Sequence, residues 1–128
     1  MSELQIPPPT ELKHHRRSRE LTVRFADGMN ARLSAEFLRV HSPSAEVKGH
    51  AAGEGVLVMD KEAVQIVGIE PVGRYAVRIV FDDGHNTGLY TWAVLYELCA
   101  EKDRKWARYL ERLAQAGKPR HPEPKWAE

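Results

Sequence analysis

Three imidazoles and the polar residues beside them carry most of the chemistry this chain can offer. His85 follows an Asp83-Gly84 turn, inside the run Asp-Gly-His-Asn-Thr-Gly-Leu that ends at Leu89. An earlier run, Asp27 to Leu33, reads Asp-Gly-Met-Asn-Ala-Arg-Leu, so Met29 stands where the later turn has His85. One reversal works with a thioether, so the imidazole of the other is not demanded by the turn. His41 and His50 bracket a second polar stretch that holds Ser42, Pro43, Ser44 and Glu46. Neutral imidazole is a common metal ligand, and Glu46 or Asp83 would complete a mixed nitrogen and oxygen set. The spacing itself is no ligand signature. Three readings stay open: hydrogen bonds that pin a loop and a turn, a zinc or iron site built on His85 with His41 or His50, and an anion or small-molecule pocket. Ser42, Ser44, Glu46, Asp83, Asn86 and Tyr90 are the candidate binding surface.

Catalytic chemistry finds less support. A serine nucleophile needs a base held within about 3 Å by a third group, and no nucleophile-elbow pattern surrounds Ser42 or Ser44. Gly49, Gly53 and Gly55 lack the Lys-Ser/Thr pair that completes a phosphate loop. Ser42-Pro43 also reads as a helix start, a capping serine followed by proline, with Glu46 near the positive end of the dipole. Cys99 falls on an apolar stripe and reads as an inert buried thiol. The expectation is a protein that is not an enzyme.

The elements that must position these groups follow from periodicity. The chain has 128 residues, 42% of them apolar, enough for one core. Residues 1–10, with Pro7-Pro8-Pro9, and residues 118–128, with three more prolines, read as flexible tails around a domain at 11–117. Leu21, Val23 and Phe25 alternate with polar neighbours as a strand does, and Asp27-Gly28 reverses it. Ser34 is placed to cap a short helix carrying Phe37 and Leu38. Val56–Met59 and Val64–Val67 read as a hairpin across Asp60-Lys61-Glu62, and Tyr75, Val77, Ile79 and Phe81 share one face of a later strand. Thr91 is placed to cap a C-terminal helix with Trp92, Leu95, Cys99, Trp106, Leu110 and Leu113 inward, ended by Gly117. A gap in that stripe falls at Glu101–Lys105; a continuous or slightly kinked helix is expected. The fold class is α+β: a largely antiparallel sheet of hairpins, with a short helix and a long C-terminal helix packed on one face. A net charge of +1 argues against a polyanion binder, so nucleic acid is not the expected partner. No apolar run approaches a membrane span and no signal core opens the chain, so a cytoplasmic protein is expected.

Three segments carry a family resemblance. Leu38 to His50, Pro71 to Val77, and Phe81 to Trp92 together resemble the DUF971 family, the small bacterial branch of domains similar to the N-terminal domain of gamma-butyrobetaine hydroxylase. The resemblance spans about residues 8–118. In the hydroxylases it implies a structural zinc held by three cysteines and one histidine. His85 matches that histidine, while Ser42, Ser44 and Val47 stand at the cysteine positions. A tetrahedral site then needs His41 or His50 as a substitute ligand. The catalytic domain of the hydroxylases has no counterpart here, so their oxygenase activity does not carry over. Related domains fused to ATPases that handle iron–sulfur clusters imply a helper role in metal or cluster metabolism.

The leading expectation is a cytoplasmic, non-enzymatic domain that binds another protein through the 41–50 stretch and the Asp-Gly-His turn. The alternative is a metal-binding module using His85 with His41 or His50.

Overall fold

A computed structural model describes residues 6–43 and 57–118. The first half runs β1 (Glu11–His15), β2 (Glu20–Arg24), β3 (Asn30–Ser34) and α1 (Ala35–Val40). The second runs β4 (Ile66–Val72), β5 (Ala76–Phe81), β6 (Leu89–Thr91), α2 (Trp92–Ala100) and α3 (Lys102–Gln115). Short turns join consecutive strands, so pairing is antiparallel throughout, in two three-stranded sheets of order β1-β2-β3 and β4-β5-β6. The α+β class read from the sequence is what the chain adopts, with its hairpins divided between two sheets.

The two Asp-Gly reversals are built alike. Gly28 and Gly84 take φ of 96° and 92°, a left-handed conformation that glycine adopts without steric cost. Phe25 N–H donates to Met29 O at 2.8 Å, and Phe81 N–H to His85 O at 3.0 Å. The aspartate accepts the amide two residues on in both, Asp27 from Met29 at 2.9 Å and Asp83 from His85 at 3.0 Å. Each hairpin then leads into a capped helix: Ser34 Oγ accepts Phe37 N–H at 3.0 Å, and Thr91 Oγ1 accepts Val94 N–H at 3.2 Å. A three-strand, one-helix unit is thus used twice.

One core joins the units. Leu21, Val23 and Leu33 from the first sheet, Ile79, Phe81 and Tyr90 from the second, Phe37 and Leu38 from α1 and Leu95 from α2 all pack in it. Burying each such leucine contributes roughly 1.5–3 kcal/mol over leaving it in water. No described helix is long and apolar enough to cross a membrane.

Several local expectations are revised. Glu11–His15 forms an edge strand paired with β2, Leu12 opposite Val23 and His14 opposite Leu21, where a strand was expected only from Leu21. Residues 57–59 are not strand; β4 starts at Ile66 and pairs with β5, so the expected 56–67 hairpin does not form among the described residues. Tyr75 sits in the β4–β5 turn, 54% exposed, rather than in line with Val77, Ile79 and Phe81. The C-terminal helix is two helices, because Glu101 leaves helical geometry at φ −107° and ψ 17°. That interruption shifts the helical phase, so Tyr109 and Leu113 face inward and Leu110 is 38% exposed.

Candidate functional site

Helix α1 delivers one half of the site. Its cap at Ser34 fixes where it starts, and at its far end His41 departs from helical geometry and Ser42 N–H donates to Arg39 O at 3.3 Å. Proline at 43 has no N–H to continue the ladder. The helix end expected to start at Ser42-Pro43 is instead the exit from α1, with no helix start there among the described residues. The Asp-Gly turn delivers the other half. Ser42 Oγ and His85 Nε2 share a hydrogen bond of 2.9 Å, with Ser42 3% and His85 9% exposed. Gly88 makes the approach possible, since a Cβ there would collide with the Ser42 hydroxyl and crowd the Tyr90 ring. Tyr90, fully buried, donates its hydroxyl to Leu38 O at 2.6 Å. Burial pushes the Tyr90 phenol far above its ordinary range, against a smaller opposing pull from its bond with Ser42.

Asp83 holds the turn against α1. One carboxylate oxygen accepts the His85 amide at 3.0 Å; the other accepts Arg39 Nε at 2.8 Å and Lys61 Nζ at 2.7 Å. Burial alone would raise its pKa, but the Lys61, His85 and Arg39 bonds together outweigh that and hold the carboxyl well below its ordinary value. These side chains are only 12–23% exposed, so solvent screens the ion pairs less than it does surface ones. Arg39 Nη1 is buried without a hydrogen-bond partner among the described residues. Both Asp83 oxygens are committed to holding main chain and cations in place, which makes the cluster a clamp between helix end and turn.

The other candidates fall elsewhere. His41 Nδ1 bonds Phe37 O at 2.9 Å, and its ring lies 4.5 Å from the Phe37 ring. Burial lowers its pKa, the Phe37 carbonyl opposes that, and Lys105 and Arg112 of α3 lower it further. His41 thus bonds within α1 while His85 bonds Ser42. Asn86 is exposed beside the turn. His50, Ser44, Glu46 and Val47 lie outside the described residues. Among the described residues no three His, Cys, Asp or Glu side chains are placed to hold a metal ion. One imidazole beside an aliphatic hydroxyl is not the donor set of a structural zinc, which takes four nitrogen, thiolate or carboxylate ligands. The described residues do not fit that ion.

Arg39, Lys61 and Gly88 were not singled out from sequence. Gly88 had a signal: it occupies the place that Arg32 fills in the first hairpin, so the second reversal lacks a side chain where the first has a large one. Lys61 had none, because only folding carries it to Asp83.

The family model for the gamma-butyrobetaine hydroxylase-like N-terminal domain matches residues 12–96, from β1 into α2. The chain belongs to this family. Both halves of the Ser42–His85 cluster lie within the match. Among solved structures, two determined in solution by NMR are similar across nearly the whole chain. One is 48% identical with a TM-score of 0.79, covering 97% of this chain and 98% of its own. The other is 49% identical with a TM-score of 0.81, covering 97% and 92%. A crystal structure of a DUF971 family protein of unknown function from Acidithiobacillus ferrooxidans is 43% identical, with a TM-score of 0.61 over 73% of this chain and 93% of that one. No curated protein matches the chain.

Proposed function

We propose that this domain is a non-enzymatic binding module whose contact surface lies around the 41–50 stretch and the Asp-Gly-His turn. One observation carries the reading. The described residues on either side of 44–56 are held on one cluster, Ser42 bonding His85 and Lys61 bonding Asp83. Segments positioned by a rigid scaffold in this way are a common place for partner contacts. The partner in this reading is another protein, met in the cytoplasm.

The test is affinity capture with the full chain, comparing wild type with Lys61→Glu and with His85→Ala, each checked for folding by its melting temperature. A protein retained by wild type and lost by Lys61→Glu at unchanged melting temperature supports the reading. If both variants stay folded and retain the same proteins as wild type, the surface is not the contact site.

A further inference from the structure

The turn that joins β1 to β2 is strongly cationic. Lys13, Arg16, Arg17 and Arg19 fall within one run that contains no acidic residue, and Lys13, Arg16 and Arg17 are exposed. Arg19 closes the turn at φ 56°, in the left-handed region where glycine or asparagine is easier to place.

This tip borders a cleft. Arg19 O accepts the Ala35 amide at 2.8 Å and Glu20 pairs with Ser34, which brings the turn against the start of α1. The cleft, about 220 Å³, is lined by Phe37 and Trp106, with Glu20, Arg32, Lys102 and Asp103 among the residues around them. The two rings lie 6.4 Å apart, centroid to centroid, and Glu20 holds Arg32 through a 3.0 Å ion pair. A space of this size accepts one large side chain rather than a whole cofactor.

We propose that the hairpin tip and this cleft dock an acidic segment of a partner protein. One aromatic or branched apolar side chain of the segment packs in the cleft against the Trp106 ring, and its carboxylates face Arg16, Arg17 and Lys102. A peptide fits better than a nucleic acid strand. Glu20 and Asp103 stand beside the cleft and can accept peptide N–H groups, which a phosphodiester backbone lacks, while a peptide can space its carboxylates away from them. The surface shares no residue with the Ser42–His85 clamp, so the two readings stand or fall separately.

The test is fluorescence anisotropy of the full chain with a fluorescein-labelled peptide, Asp-Glu-Glu-Asp-Phe-Asp-Glu-Glu-Asp, at low and at physiological ionic strength. NMR of the Trp106 indole reports the site. The expected result is saturable binding that shifts the indole resonance and weakens with salt. The double variant Arg16→Glu/Arg17→Glu, confined to an exposed turn, should weaken it about tenfold, and Lys102→Glu should also weaken it. Exchanging the central phenylalanine of the peptide for serine should cost about tenfold as well, while His85→Ala leaves the affinity unchanged. Absence of saturable binding at low salt, an affinity indifferent to both charge reversals, or tighter binding of an oligothymidylate of equal charge would each overturn the proposal.

Discussion

The two Asp-Gly reversals close alike but serve different ends. In the first, Asp27 accepts the Tyr96 hydroxyl at 2.6 Å, Met29 packs part-buried on the core, and Arg32 crosses to Glu20 on the outer face. In the second, Asp83 gathers Arg39 and Lys61, His85 turns inward to Ser42, and Gly88 clears the space. The hydrogen bonds that close the two reversals match to within a few tenths of an ångström. Beyond them, β3 pairs with β2 straight on from Asn30, while residues 86–88 stay outside β6, which joins β5 one residue out of the first hairpin's register. Backbone and side chains therefore both differ. A turn that its amides and one aspartate already hold is free to carry a group the turn does not use.

Exchanging features between the hairpins breaks the comparison most sharply at position 88. Gly88→Ala should cost about 2–4 kcal/mol, because a Cβ must displace the buried Ser42 hydroxyl or the Tyr90 ring. Arg32→Gly in the first hairpin, on an exposed face, should cost about 1 kcal/mol or less. Urea unfolding of both variants decides, and equal losses would mean the cradle is not what position 88 provides. Next, His85→Met makes the second reversal a copy of the first. Losing the His85 bond to the Ser42 hydroxyl should cost about 1–3 kcal/mol, and Ser42→Ala in that background should then cost less than it does in wild type. Additive losses in the double variant would show that the bond contributes no stability.

Acid separates the hairpins as well. Asp83 has its pKa depressed in the fold, so the stability it contributes is fully present above its ordinary value of 3.8 and is lost as pH falls below that towards the folded value. Stability measured from pH 5 downwards should therefore fall less steeply in Asp83→Asn than in wild type. Asp27 is shifted the same way, chiefly by Tyr96, but lies fully exposed, and Asp27→Asn should flatten the curve less. If Asp27→Asn flattens it more, the second hairpin is not the tighter clamp. The smallest expected effect is that of a chelator: with hydrogen bonds and ion pairs holding the described cluster, excess EDTA should leave the melting temperature within experimental error. A drop of several degrees would assign a metal to the site, with ligands drawn from residues 44–56.

Much of this was legible beforehand where a residue's role depends on its own neighbours. Ser34 and Thr91 cap helices as their spacing implies, Gly117 takes φ 73° just past α3, and the paired Asp-Gly runs announce twin reversals. β1 escaped because Lys13, His14 and His15 look like a solvated charge run. At a sheet edge such polar residues suffice, since backbone hydrogen bonds and Leu12 hold the strand. The break at Glu101 escaped because a charged gap in a helical stripe fits a solvent-facing turn as well as an interruption.

Sequence alone determined the turns, the caps and the alternation that makes this chain α+β, because each depends on contacts a few residues apart. That His85 meets Ser42 and that Asp83 draws in Arg39 and Lys61 was decided only by the packing of α1 and the Lys61 segment against the second sheet. Those partners are dozens of positions apart along the chain. No local pattern records which buried hydroxyl will find which imidazole once a common core has brought them together.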